Sequence, residues 1–296
     1  MPELPEVETI VRRLRPSLVG RTIAQAEVLW TRSLVGLSAE QFGSQISGQG
    51  IVGVSRRAKY LVFQLTDLYL LIHLRMSGDL TMRAGGYEPD VHDRLILRLG
   101  GPKQEPGLFH PNQEPGLFHG PGHGSAVSLL VFNDTRKFGR VWLTAHPEDV
   151  VGKLGPEPLE DSFTPQVLYS RLIKKHRQLK PLLLDQSFLA GLGNIYSDEA
   201  IHLSGVHPLR ISDTISVDEA QRLHAAIQSV LLAGIEHNGA SFDWVYRGGG
   251  FQNYFRVYGR EGQPCPVCGA LIQKIVVGQR GTHFCPVCQP IGLREI

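Results

Sequence analysis

Apolar residues recur at spacings of three and four through the opening of the chain. Val7, Ile10, Val11, Leu14 and Leu18 share one face, which predicts a helix over residues 3–18. Glu3, Glu6 and Glu8 fall in its first turns, where carboxylates complement the helix dipole. From about residue 22 to 143 the period shortens. The runs IVGVS, YLVFQL, YLLIHL, LILRL, SLLVF and RVWL, punctuated by turn residues such as MSGD and NDTR, predict antiparallel strands in a sandwich or barrel packed with the N-terminal helix. Beyond residue 150 the helical period returns. Val167, Leu168, Leu172 and Ile173 mark a helix over 165–176 with a basic face, and PLLLDQSFLAGLG reads as a second one ending at Gly191 and Gly193. Asn194 is placed to cap NIYSDEAIHLSG, and Ser216 with Glu219 forms a capping box before a long amphipathic helix that Gly239 stops.

This order of elements predicts an α+β protein: an N-terminal helix with an antiparallel β-sandwich, then a helical region, then a tail containing every cysteine. The expected domains are 1–148, 149–240 and 241–296, the first boundary lying in the Pro/Glu-rich stretch 145–165. One segment interrupts the strand pattern. QEPGLFH occurs twice within 100–124, a stretch with 7 Gly and 5 Pro. Such a composition cannot bury a core and reads as a solvated hairpin loop. Its His110, His119 and His123 leave metal binding open as the alternative.

Composition narrows the classes without choosing a partner. The 296 residues carry 30 basic and 28 acidic side chains, a net charge of +2, so global electrostatics selects neither nucleic acid nor membrane. Locally the balance differs, with five Lys/Arg and no acid in 171–180. There is no long apolar run for a membrane span, and the acidic N-terminus is unlike a signal peptide, so a cytosolic location is the expectation.

Two groups of residues carry chemistry. Cys265-Pro-Val-Cys268 and Cys285-Pro-Val-Cys288 are CxxC knuckles separated by 16 residues, with LIQKIVV and THFC reading as hairpin strands around GQRG. Two such knuckles bring four thiolates into a tetrahedron that suits one structural Zn²⁺ with no open coordination position. Disulfides or free thiols are the alternative. Arg280 lies at the hairpin tip, either poised for a partner or simply solvated. At the other end of the chain, Pro2 permits removal of the initiator Met and would leave a secondary amine. An α-amino group has a pKa of about 7.7–8.0, so about a tenth is uncharged at pH 7. That amine can attack an electrophilic carbon and form an iminium, with Glu3 and Glu6 beside it as general acid or base. The plainer reading is a frayed terminus with helix-capping acids.

MPELPEVETIVRRL, GLGNIYSDEA and the terminal CPVC…CPVC together resemble the formamidopyrimidine-DNA glycosylase family, and the likeness spans the chain apart from 100–124. Leu4 favours this branch over the related endonuclease VIII branch, which opens PEGPE. The resemblance implies a helix–two-turn–helix element in the helical region and a zinc-finger hairpin. It also implies excision of oxidised purines such as 8-oxoguanine from double-stranded DNA, followed by lyase cleavage at the abasic site. Pro2 would be the nucleophile at C1′ and Glu3 would protonate the sugar ring oxygen, with Glu6 in support. Lys59, His73, Asn194 and Arg280 would contact phosphates around the lesion, and Lys180 would lie near the damaged site. Arg260 is carried over as a further DNA contact.

Family members fill the hole left by the extruded base with a Met, an Arg and an aromatic, matched here by Met76, Arg136 and Phe138. Taken alone, Met76 and Phe138 read as core and His73 as a buried structural histidine. RGGGFQNYF (247–255) aligns with the loop that closes over the base, its glycines suiting a mobile lid. Lys137 stands where many relatives have a second arginine, which keeps the charge but loses a bidentate contact. The expected protein is a monomer. A pyrimidine-specific glycosylase of the same fold and a non-catalytic DNA-binding module are the competing readings.

Overall fold

The computed structural model describes residues 1–102, 128–241 and 248–291. Helices are α1 (Leu4–Leu18), α2 (Ala39–Ile46), α3 (Glu148–Val151), α4 (Pro165–Leu172), α5 (Leu179–Leu184), α6 (Asn194–Ser204) and α7 (Val217–Glu236). Strands are β1 (Arg21–Val28), β2 (Ile51–Arg57), β3 (Tyr60–Leu65), β4 (Tyr69–His73), β5 (Gly78–Ala84), β6 (Asp93–Pro102), β7 (Ser128–Asp134), β8 (Arg140–Thr144), β9 (Gln273–Val277) and β10 (Arg280–Phe284). Short 3₁₀ turns lie at Thr31–Ser33, Ser212–Thr214 and Phe251–Tyr254.

The chain forms two compact units. One comprises Val11–Ser55 and Leu61–Pro147. It contains two four-stranded sheets, ordered β1-β6-β7-β5 and β2-β3-β4-β8. The strand alternation explains them: Leu61, Phe63 and Leu65 of β3 are buried while Gln64 between them is exposed. β4 and β7 instead read as nearly continuous apolar runs and are buried through Leu70–Ile72 and Leu129–Phe132. Helix α2 lies in a stretch expected to be strand. Ser38 and Gln41 form a capping box there, with each side chain bonded to the other's backbone amide.

The second unit comprises Met1–Ile10, Arg56–Tyr60 and Glu148–Ile296. The compact units therefore do not follow a single cut near residue 148. The start of α1 and the β2–β3 tip group with the C-terminal half. The core of this unit gathers Leu4 with Leu168, Leu172, Leu182, Leu189, Tyr196, Leu223 and Ile227. Helix α5 is shorter than its apolar pattern predicts: it ends at Leu184, the Asp185 carboxylate accepts the Ser187 amide and hydroxyl, and 186–193 form a loop. Beyond it, β9 and β10 make a hairpin with a two-residue turn in which Gly278 and Gln279 both have positive φ (55° and 63°). This is the geometry whose twist matches paired strands.

The repeat at 104–110 and 113–119 lies outside the described residues. Its flanks are paired, since Leu99 of β6 sits opposite Ser128 of β7. A connection between hydrogen-bonded neighbours should tolerate shortening. Replacing 103–127 by about six Gly/Ser residues is expected to raise stability by about 1 kcal/mol from loop-closure entropy. The measurement is thermal unfolding. A fall in Tm of more than a few degrees would show that the repeat packs on the domain.

Candidate active site

The N-terminus is held, not frayed. Pro2, Glu3 and Glu6 are buried. The Glu3 carboxylate sits on the N-terminus of α6, where it accepts from the amides of Gly193 (2.6 Å), Ile195 (2.9 Å) and Tyr196 (3.4 Å). These are among the donors that a helix start leaves unpaired, and the helix dipole favours an anion there. Asn194 is consequently not the cap that its position predicts. Gly193 is the N-cap residue and Asn194 begins the helix, because a carboxylate from far along the chain supplies the acceptors. The glycine is required: a Cβ at Gly193 would come within 2.3 Å of Glu3 Cδ. Gly191 has φ +91° and accepts the Leu4 amide at 3.1 Å, and its loop is braced by Gln186.

Glu6 is fixed equally firmly. Its Oε2 accepts the Glu3 amide (2.7 Å), and its Oε1 accepts the Tyr196 hydroxyl and the Ala240 amide, each at 2.7 Å. Burial, and then the nearby Glu3 charge, push the Glu6 carboxyl above the ordinary glutamate range despite those bonds. Tyr196 stacks on Phe251 (centroids 5.2 Å apart), and the Phe251 amide donates to the Gly239 carbonyl. Residues 248–255 are thus tied down. A Cβ at Gly249 would lie 2.4 Å from the Gly239 carbonyl oxygen, so this glycine serves close backbone approach and not mobility. Residue 247 of the expected lid lies outside the described residues.

Lys59 stands on the β2–β3 tip, after Ala58 in a left-handed conformation (φ +52°). The tip is fixed by Glu157, whose carboxylate accepts the Ala58 amide, Arg56 Nη1 (2.6 Å) and Arg57 Nη1 (2.8 Å). Burial opposes its ionisation, but the Arg56 guanidinium and the other donors hold its carboxyl below the usual range. Glu157 lies in the stretch the sequence marks as a linker, and nothing in that pattern distinguishes it from a solvated acid. Burial lowers the Lys59 ammonium pKa, Glu3 and Glu6 pull it back up, and Arg280 and Lys180 lower it further. Those charges therefore share one electrostatic environment.

Helix α6 also organises the hairpin carrying Arg280, which is exposed. Asn194 Nδ2 donates to the Gly281 carbonyl at 3.0 Å. Asp198 accepts Lys180 Nζ (2.5 Å) on one oxygen and the His283 amide (3.0 Å) on the other. Lys180 is fully buried and also donates to the Asn194 carbonyl and Ser197 Oγ. Its three N–H groups are thereby matched to acceptors of its own chain, so it positions α6 from within. Arg260 is likewise turned onto the protein, donating to Gln263 and to the carbonyls of Phe255, Arg256 and Pro264. The sequence could not show this, because an inward arginine and a solvated one have the same pattern.

The four cysteine sulfurs lie within 4.8 Å of one another, with Cys265–Cys288 at 3.8 Å and Cys268–Cys285 at 3.4 Å. A tetrahedral ion with bonds of about 2.3 Å to sulfur needs S···S edges of about 3.8 Å. The cluster fits such a group.

Met76, Arg136, Lys137 and Phe138 belong to the sandwich unit. The pairings His73–Arg140 and Gly78–Asp134 put the 74–77 and 135–139 turns at one end of it. Buried Asp134 ties them together, accepting the Ser77 hydroxyl and the amides of Arg136 and Gly139. Met76 and Phe138 are not core: they are 37% and 47% exposed. The Arg136 guanidinium lies over the Phe138 ring (5.2 Å), and Lys137, at φ +61°, places its ammonium 4.3 Å from the Trp30 ring centroid. His73 is buried and its Nδ1 accepts the Arg75 amide, which fixes the neutral ring's proton on Nε2.

Comparison with known proteins bears on this arrangement as a whole. Residues 1–141 match the formamidopyrimidine-DNA glycosylase N-terminal domain, 154–244 the H2TH domain of that enzyme, and 262–291 a zinc finger found in FPG and IleRS. The formamidopyrimidine-DNA glycosylase of Chloroflexus aggregans is 43% identical over 98% of both chains. That of Pelotomaculum thermopropionicum is 39% identical over 98% of this chain and all of its own. A solved structure of Lactococcus lactis Fpg (MutM) with DNA containing N7-benzyl-Fapy-dG has a TM-score of 0.84 at 35% identity, covering 98% of this chain and 100% of that one. Another, with DNA containing an abasic site, gives 0.84 at 34% with the same coverage.

The close approach at Gly193 makes a paired measurement possible. Gly193→Ala is expected to destabilise by about 1–3 kcal/mol and displace the Glu3 carboxylate. Gly43→Ala, in α2 with open space around it, should instead stabilise by about 0.5–1 kcal/mol. Denaturant titration reads both.

Proposed function

The chain belongs to the formamidopyrimidine-DNA glycosylase family of base-excision repair, and from that premise we propose that it is a bifunctional glycosylase and abasic-site lyase acting on oxidised purines in double-stranded DNA. The observation that carries this reading is the buried, doubly anchored terminus: Glu3 on the start of α6 and Glu6 on Tyr196 and Ala240. A frayed terminus would need none of it. With Met1 removed, the Pro2 nitrogen becomes a secondary amine in this pocket. Its lone pair attacks C1′ of the damaged nucleotide, the C1′–N bond to the base breaks, and the base leaves, taking a proton from solvent. The N–H proton that Pro2 releases passes to the Glu3 carboxylate, which delivers it to the sugar ring oxygen as the ring opens, leaving a C1′ iminium. Its electron-withdrawing pull labilises a C2′ proton, and β-elimination expels the 3′ phosphate. δ-Elimination then expels the 5′ phosphate.

Lys59, Asn194, Arg280 and His73 serve as phosphate contacts, and Met76, Arg136 and Phe138 as the residues that occupy the vacated base position. Exposed apolar side chains at a rigid turn suit that task. Phosphate affinity comes from this local placement, since the net charge is only +2. The four cysteines hold one Zn²⁺, which braces the finger and leaves no open coordination position. No described helix is long and apolar enough to cross a membrane. Acting on genomic DNA, the protein works in the bacterial cytosol.

Two measurements test the proposal. Borohydride reduces an iminium to a stable amine, so Met-processed protein should be captured covalently on a duplex with an 8-oxoguanine·C pair. Pro2→Gly should lose most base release while still binding the duplex. No captured adduct, or a preference for thymine glycol over 8-oxoguanine in a lesion panel, contradicts the reading. The second concerns Lys59, whose pKa lies below the ordinary lysine value. A lysine is charged below its pKa, so its phosphate contact is lost as pH rises through that lowered value, sooner than for an ordinary lysine. The salt-dependence slope of duplex binding should fall by about one as pH rises through that value, ahead of the titration of ordinary lysines near pH ~10. Lys59→Met should show the smaller slope throughout, and a parent slope independent of pH would remove Lys59 from the contact set.

A further inference from the structure

Helix α6 reaches the four-cysteine cluster through a side chain that the roles proposed above leave unused. His202, in the last turn of α6, is buried, and its Nε2 lies 3.5 Å from Cys265 Sγ. Its other ring nitrogen, Nδ1, is buried without a hydrogen-bond partner. A neutral imidazole has one N–H, so the proton has two possible positions. On Nδ1 it would leave a buried donor unpaired while a ring lone pair faced the sulfur. On Nε2 the donor meets the sulfur and only a lone pair stays unmatched. The second arrangement is the stable one, because an unmade bond to a buried N–H carries the full desolvation penalty.

The neighbourhood gives this contact a purpose. The finger is already bound to α6 at several points, among them Asn194 on the Gly281 carbonyl. Asp198 accepts the His283 amide of β10. Glu199 accepts the amides of Arg256, Val257 and Tyr258 on the segment leading to Cys265. Gln289 closes the other side, accepting the Cys285 amide and donating to the Val206 carbonyl just past α6. None of these touches a sulfur; His202 does. Four thiolates around one divalent ion carry two net negative charges, and an N–H directed at one sulfur disperses part of that charge.

We propose that His202 is an outer-sphere partner of the metal centre: its Nε2–H hydrogen-bonds to the Cys265 thiolate, slowing loss of the ion and coupling the centre to the helix that holds Glu3. This rests on reading the cluster as a zinc site, and metal analysis of the parent tests that separately, since less than one zinc per chain would sink the site itself. With zinc present, His202→Phe keeps the ring's bulk and removes the donor, while His202→Gln keeps a donor. His202→Phe is expected to surrender zinc to a chelating dye about 10–100-fold faster than the parent, with His202→Gln close to the parent. In cobalt-substituted protein the thiolate-to-metal charge-transfer band should shift in His202→Phe and not in His202→Gln. Parent-like release and an unshifted band in His202→Phe overturn the proposal. A readout on the parent alone covers the case in which the variant does not fold: the ¹⁵N shifts of His202 in zinc-loaded protein should place the proton on Nε2, and a proton on Nδ1 refutes the hydrogen bond.

Discussion

A helix start carries amides that no residue of the helix can satisfy, and in this protein the carboxylate that satisfies those of α6 comes from residue 3. Much else follows from that contact. It forces glycine at position 193, where any Cβ would overlap Glu3. It assigns the first ten residues to the same compact unit as the helical half of the chain. It also fixes residue 2, whose nitrogen is the proposed nucleophile, next to a carboxylate whose orientation is set by backbone atoms. A group held by main-chain donors cannot drift with a rotamer change, and that preorganisation is what transition-state stabilisation needs.

The same helix carries the rest of the assembly through buried polar bonds. Lys180, Asp198 and His283 form a chain from α5 through α6 to β10, and Asn194 adds a bond to the hairpin turn beside Arg280. Burying a lysine and an aspartate costs desolvation that their attraction does little more than offset. The Lys180 pKa accordingly stays below the ordinary lysine value, burial outweighing Asp198. What such a pair contributes is geometry: apolar surfaces would let the hairpin slide, whereas these donors and acceptors match in one register. Asp134 does the equivalent work in the sandwich unit, locking the turns that present Met76 and Phe138. In both units, an exposed side chain proposed to meet DNA stands on or beside a turn secured by a buried acid.

A good part of this was legible from residue order. The period of Val7, Ile10, Val11 and Leu14 marked α1, the capping box at Ser216 and Glu219 marked α7, and the GQRG turn located the β9–β10 hairpin. Other features were not. Helix α2 was missed inside a strand-rich region although Ser38 and Gln41 signalled it. The glycines 191 and 193 read as a helix stop and Asn194 as a cap, and residue order did not mark Lys180 and Arg260 as bonded inward or Glu157 as a brace. Each has one origin. Hydrophobic period and cap signatures report on neighbours within a few residues, whereas these side chains find their partners across tens or hundreds of positions.

The sequence by itself determined which elements form, because helix and strand periods, caps and turn residues act over short distances. It likewise determined the chemistry available: an N-terminal proline beside a glutamate, four thiols in two knuckles, and glycines where a side chain could not fit. Only the tertiary structure decided which polar groups face inward and which stay exposed. That choice depends on desolvation, which no residue carries alone. A lysine at 180 and one at 59 look alike in the chain; a neighbouring Asp198 makes the first a buried brace, and the Glu157-bound tip gives the second its place beside Glu3 and Glu6.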